Sequence, residues 1–132
     1  MRIVQPEGWP RPRGYANGVL ASGRTLFVAG QIGWNENEQF DSDDLIEQAR
    51  QALKNLVAVL AAGGARPEHV ARMTWYLTDK REYLRRAGEF GAAYREFMGK
   101  HYPAMAMVQV AALMEDRAKI EVEATAVIPD GG

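Results

Sequence analysis

The chain has 132 residues, a formal net charge of −1, 47% hydrophobic and 25% charged residues, and no cysteine. That length holds one core of ordinary size, and the composition is that of a folded chain, not a disordered one. Near-neutral charge gives no electrostatic reason to expect nucleic acid, and the absence of cysteine excludes a disulfide framework, a thiolate nucleophile and a cysteine zinc site.

Residues 1–132 read as a single domain, with 1–13 as an extended N-terminal arm. Pro6, Pro10 and Pro12 fix their own dihedrals and push their predecessors out of the helical region. They also interrupt the apolar run that a signal peptide needs, and no later stretch reaches the roughly 18 apolar residues of a membrane span. The expectation is a soluble cytoplasmic protein with no membrane partner.

Short strands are predicted over 18–20 and 26–29, joined as a hairpin through Ser22-Gly23. AGQIGWNENEQF then reads as a loop around Gly30 and Gly33. Leu45, Ala49, Ala52, Leu53, Leu56, Val59 and Leu60 recur at helical spacing, with Asp or Ser at 41–44 to cap the start and Gly63-Gly64 to end the helix. In VARMTWYLTD, Met73, Trp75 and Leu77 alternate with Arg72, Thr74 and Tyr76, the pattern of a half-buried strand. Asp79 and Glu82 have capping-box spacing, and Tyr83, Ala87, Phe90, Tyr94, Phe97 and Met98 form the stripe of a second helix closing at Gly99. Two further strands are predicted over 105–113 and 119–127, separated by a polar turn at Glu115-Asp116-Arg117.

The order ββ, α, β, α, ββ predicts an α+β fold, a single mixed sheet of five to six strands with two helices packed on one face. Two helices at about 8 to 10 Å centres cover one face of such a sheet and leave the other bare. Because the 105–113 strand is apolar on both sides, the bare face is expected to be buried against other copies of the chain. On the last strand Glu121 and Glu123 share that face, either as solvated charges or as a carboxylate held in a wet cleft, where it can handle a proton.

Other signals have plainer readings. Asp41-Ser42-Asp43 imitates a calcium loop, but Ile46 stands where glycine is required, so helix capping explains it. His69 and His101 lack metal-ligand spacing, Ser22 and Ser42 lack a nucleophile context, and Lys80, Arg81, Arg85 and Arg86 read as a solvated helix face. No metal or cofactor is expected.

The segments RGYANG, LFVAGQIGW, QARQALKNLVAVLAAGGA, MTWYLTD, YREFMGKHYPAMAMVQVAAL and KIEVEATAV, in that order and spacing, resemble the YjgF/RidA family over residues 14–128. The resemblance implies a chorismate-mutase-like fold and a homotrimer whose sheets face inward, with small-metabolite sites in the clefts between subunits. In its deaminating members those clefts hydrolyse imines and enamines to keto acids and ammonia. It implies that Glu121 positions or activates water and that Tyr15 closes the cleft. Met105 stands at the position of an arginine that grips the substrate carboxylate. Ala29, before Gly30, stands at a serine position, Gly91 at an asparagine position, and Met107 at a cysteine position.

Met105 and Met107 either fill the cleft as core or line it for a larger, less acidic ligand. Trp34 is either an aromatic wall of the site or a packing anchor. Two functions follow: an imine or enamine deaminase with altered substrate range, or a non-catalytic protein that binds or senses a small metabolite. RNA cleavage, claimed for some relatives, is disfavoured by the charge.

Overall fold

In a computed structural model, which describes residues 1–131, the chain forms nine principal elements. They are β1 (Arg2–Val4), β2 (Gly18–Leu20), β3 (Arg24–Ile32), α1 (Leu45–Ala62), β4 (Val70–Leu77), α2 (Lys80–Arg85), α3 (Ala87–Met98), β5 (Ala104–Gln109) and β6 (Ile120–Ile128). The Asp44 carboxylate accepts from the Glu47 amide at 3.1 Å and so caps α1. The face that α1 buries carries Leu45, Ala49, Ala52, Leu53, Leu56 and Leu60, at the spacing of its apolar residues.

The main sheet has the order β3-β6-β4-β5, with β4 and β5 parallel and the other pairs antiparallel. The parallel pair requires a crossover, which α2 and α3 supply. The fold is therefore α+β, a mixed sheet with two main helices, α1 and α3, and one core between them and the sheet. Met73, Trp75 and Leu77 of β4 and Val122, Ala124 and Ala126 of β6 point into that core.

Six strands form, but only four share the main sheet. The expected hairpin through Ser22-Gly23 is absent: β2 pairs instead with β1, Ile3 opposite Val19, in a separate two-stranded ribbon. Part of the N-terminal arm is thus a strand. The expected loop after Ala29 also begins late, because β3 runs on to Ile32 through a register shift between Val28 and Gln31. Beyond that bulge Ile32 stands opposite Glu121 and is buried.

The second helix is two helices, broken at Arg86, whose φ of −117° and ψ of 22° leave the helical region. Arg86 is held there by Asp44 and Glu89, whose carboxylates accept at 2.6 and 2.7 Å. β5 ends at Gln109, not at 113, because β4 ends at Leu77, the partner of Gln109. The Gln109 side chain then accepts from the Lys80 amide at 2.7 Å, tying the strand end to the start of α2. Among the described residues no helix is long and apolar enough to cross a membrane.

Candidate functional site

One group of predicted site residues gathers at the β5 edge. The Ala16 amide donates to the Pro103 carbonyl at 3.0 Å, and Ala16 bridges Ala104 as a single parallel rung. This clip sets Tyr15, 42% exposed, beside the start of β5, where it shares a small recess with Met105 and Arg72. Met105 and Met107 pair with Met73 and Trp75, so they point to the helix side of the sheet. There they floor a recess of about 380 Å³ whose helix wall includes Gly91, Phe90 and Tyr94.

The wall is aromatic and braced. Tyr83 meets Phe90 edge-on at 5.1 Å, and Tyr94 stacks on Tyr102 at 5.4 Å. The Tyr94 hydroxyl donates to the His101 carbonyl at 2.6 Å, and burial raises its pKa far above the ordinary value, so it stays a neutral donor. His101 Nε2 in turn donates to the Val70 carbonyl at 2.7 Å, which gives that histidine a structural task. Arg13 and Arg95 complete the rim.

The second group lies on the bare face of the sheet. Glu121 is half-buried and packs over Gly30, where a methyl group would overlap its Oε2; only glycine leaves the carboxylate that space. Among the described residues no donor reaches Glu121. Burial pushes its carboxyl above the ordinary value, and the charge of Glu123 pushes the same way. Glu123 accepts a short hydrogen bond from the Tyr76 hydroxyl, which raises the tyrosine. A raised carboxyl without a fixed donor can bind water and exchange a proton with it.

The bare face is less apolar than expected. Its centre is polar, with Arg72, Thr74, Glu123 and Thr125 around a shallow depression, and the greasy side chains sit on the edge strands, Phe27 at 78% exposure and Val108 at 44%.

Within one chain the sheet therefore separates Glu121, Gly30 and Ala29 from Met105, Met107 and Gly91. Trp34 joins neither group. Its ring lies 6.1 Å from Phe40, and its carbonyl accepts from Asn55 Nδ2 at 2.7 Å, the geometry of a loop anchor on α1. Tyr83, Tyr102, Arg13 and Arg95 were not visible as site residues in the sequence; the helical stripe contained Tyr83, but nothing marked the two arginines.

These features define a class of small α+β chains with helices on one face of a mixed sheet and a carboxylate on the other. A family model for endoribonuclease L-PSP matches residues 10–128, and the chain belongs to that family, the YjgF/RidA proteins. A RutC family protein of Pyrococcus horikoshii is 32% identical over 125 residues, 94% of this chain and 95% of that one. Human 2-iminobutanoate/2-iminopropanoate deaminase is 34% identical over 114 residues, 86% of this chain and 79% of that one. Among solved structures, the Rid protein YyfB of Yersinia pestis matches with a TM-score of 0.85 at 33% identity, covering 96% and 98% of the two chains. E. coli TdcF with bound serine matches with a TM-score of 0.69 at 30% identity, covering 98% and 100%.

Proposed function

We propose that the protein is a cytosolic homotrimer that hydrolyses imine or enamine metabolites in clefts between subunits, with a substrate range altered by Met105. The observation that carries this reading is Glu121: a half-buried, donor-free carboxylate with a raised pKa on the face that no helix covers. The sheet keeps Glu121 and the methionine-floored recess apart in one chain, so a cleft containing both is made by two chains. Exposed Phe27 and Val108 favour such an association. The relatives named as 2-iminobutanoate/2-iminopropanoate deaminases support the reaction class.

In the proposed step Glu121 accepts a proton from water as the water oxygen bonds to the carbon of the protonated imine and the C–N π pair passes to nitrogen, giving a carbinolamine. Glu121 returns that proton to the nitrogen, the C–N bond breaks with its electron pair going to the departing ammonia, and the hydroxyl proton passes to the Glu121 carboxylate as the carbonyl forms. The recess at β5 takes the organic substituent, and the thioethers of Met105 and Met107 adapt to its shape. Tyr15 borders the entrance.

Non-catalytic binding is favoured by one observation, that Met105 and Met107 pack against the core without supplying a polar group. The test offers imino acids generated by an amino-acid oxidase and follows ammonia. The deaminase reading expects faster release with the wild type and loss of that gain in Glu121→Gln. Equal release by both overturns it and leaves the binding reading.

A further inference from the structure

The methionine-floored recess has a cationic rim. Arg13, from the arm, and Arg95, from α3, both line it, and no aspartate or glutamate does. Among the described residues neither arginine forms an ion pair, whereas the nearby carboxylates are engaged: Glu89 with Arg86 and Glu96 with Arg50. An unpaired guanidinium beside an apolar pocket presents a planar fork of donors with no acceptor assigned to it.

The position of Arg95 depends on Gly91, one helical turn before it. Helical side chains lean toward the preceding turn, and Nη1 of Arg95 lies 3.2 Å from where a Cβ at position 91 would stand. The guanidinium thus occupies the room that a side chain at 91 would take. Most of the rest of the recess is aromatic and thioether surface, from Tyr83, Phe90, Tyr94, Tyr102, Met105 and Met107. Its volume of about 380 Å³ lies within the roughly 300–1,000 Å³ of small-molecule sites.

We infer that this recess binds carboxylates carrying an aromatic or branched apolar group, with Arg95 as the principal carboxylate anchor and Arg13 closing over it. The anion is held from the helix side of the cleft, not from strand β5, whose side chain at 105 is apolar. This rests on reading the β5 edge as the ligand end of the proposed cleft, and it concerns binding, not turnover.

Calorimetric titration of the full chain with phenylpyruvate, pyruvate and the neutral phenylacetamide tests it. Phenylpyruvate is expected to bind more tightly than either of the others. Arg95→Ala is expected to weaken phenylpyruvate by about tenfold, as for loss of a charge-assisted hydrogen bond, and to leave phenylacetamide unchanged. Gly91→Asn, which crowds the guanidinium without removing it, is expected to weaken phenylpyruvate in the same direction, and Arg95→Lys to recover part of the loss. No measurable phenylpyruvate binding, equal binding of the amide, or an Arg95→Ala affinity within twofold of wild type overturns the inference. Binding without ammonia release would uphold the inference and remove the deaminase reading; ammonia release with an Arg95-independent affinity would do the reverse.

Discussion

Among the described residues Gln48 is the one buried polar residue, 1% exposed on the inner side of α1. Its Nε2 donates to the carbonyls of Ser42 and Arg117 at 3.1 and 3.0 Å, and its Oε1 accepts from the Lys119 amide at 2.8 Å. Two of those bonds fasten the turn before β6 to α1 and so set where the strand carrying Glu121 begins, and the third holds the segment leading into α1. Gln48→Leu keeps the size and leaves three backbone groups without partners. At about 1 kcal/mol per hydrogen bond the loss is about 3 kcal/mol. With an unfolding entropy of about 2.1 cal/mol/K per residue, 132 residues give about 280 cal/mol/K, so Tm should fall by about 11 °C. Urea and thermal unfolding by circular dichroism, at one protein concentration because association shifts Tm, measure it. A loss below about 1 kcal/mol would mean that water replaces the side chain, and the account of the β6 anchor would fail.

Gly30→Ala places a methyl group against Glu121 Oε2, so ammonia release should collapse while the circular dichroism spectrum is kept; retained activity would separate Glu121 from the chemistry. If Glu121 acts as the base, the rate should fall as pH drops through a carboxyl value above the ordinary 4.5, and Glu123→Gln should move that inflection to lower pH by removing the neighbouring charge. For stability the sign is opposite. A carboxyl raised by folding contributes most in acid, below its unfolded value, and that contribution is lost as pH rises through the folded value. The Arg86 hydrogen bond holds the Asp44 carboxyl below its ordinary 3.8. Asp44→Ala should therefore cost about 1 kcal/mol near neutrality through the lost cap, and the gap from wild type in urea unfolding should close as pH falls through the lowered value.

Much of the fold was legible because periodicity and caps report local structure. Leu45 to Leu60 repeat with the helical period behind a capping aspartate, and the alternation of Met73, Trp75 and Leu77 marks a strand with one buried face. The failures are non-local or fall where pattern continues past a break. β2 looked like one arm of a hairpin because its true partner, Arg2–Val4, lies in a proline-rich segment whose pairing no local rule encodes. The stripe from Tyr83 through Phe90 stays in phase across Arg86, so spacing alone does not reveal one residue out of the helix. The apolar run after Gln109 outlasts the strand because the length of β4 decides where pairing stops. Nothing local in the sequence marks Gln48, since its partners Arg117 and Lys119 lie 69 and 71 positions away.

At the site, family resemblance named Tyr15, Glu121 and Met105, and side-chain alternation put Glu121 on the bare face. It did not show that the sheet stands between Glu121 and Met105. Nor did it show the guanidinium that fills the space beside Gly91, because an arginine on an exposed helix position carries no periodic signal.

The central claim is that the bare sheet face closes on other copies of the chain and that the cleft exists only then. Sedimentation equilibrium at micromolar concentration tests it directly. The account predicts a single species of three 14.7 kDa chains, about 44 kDa, that Phe27→Glu dissociates. A stable species at the mass of one chain would contradict it.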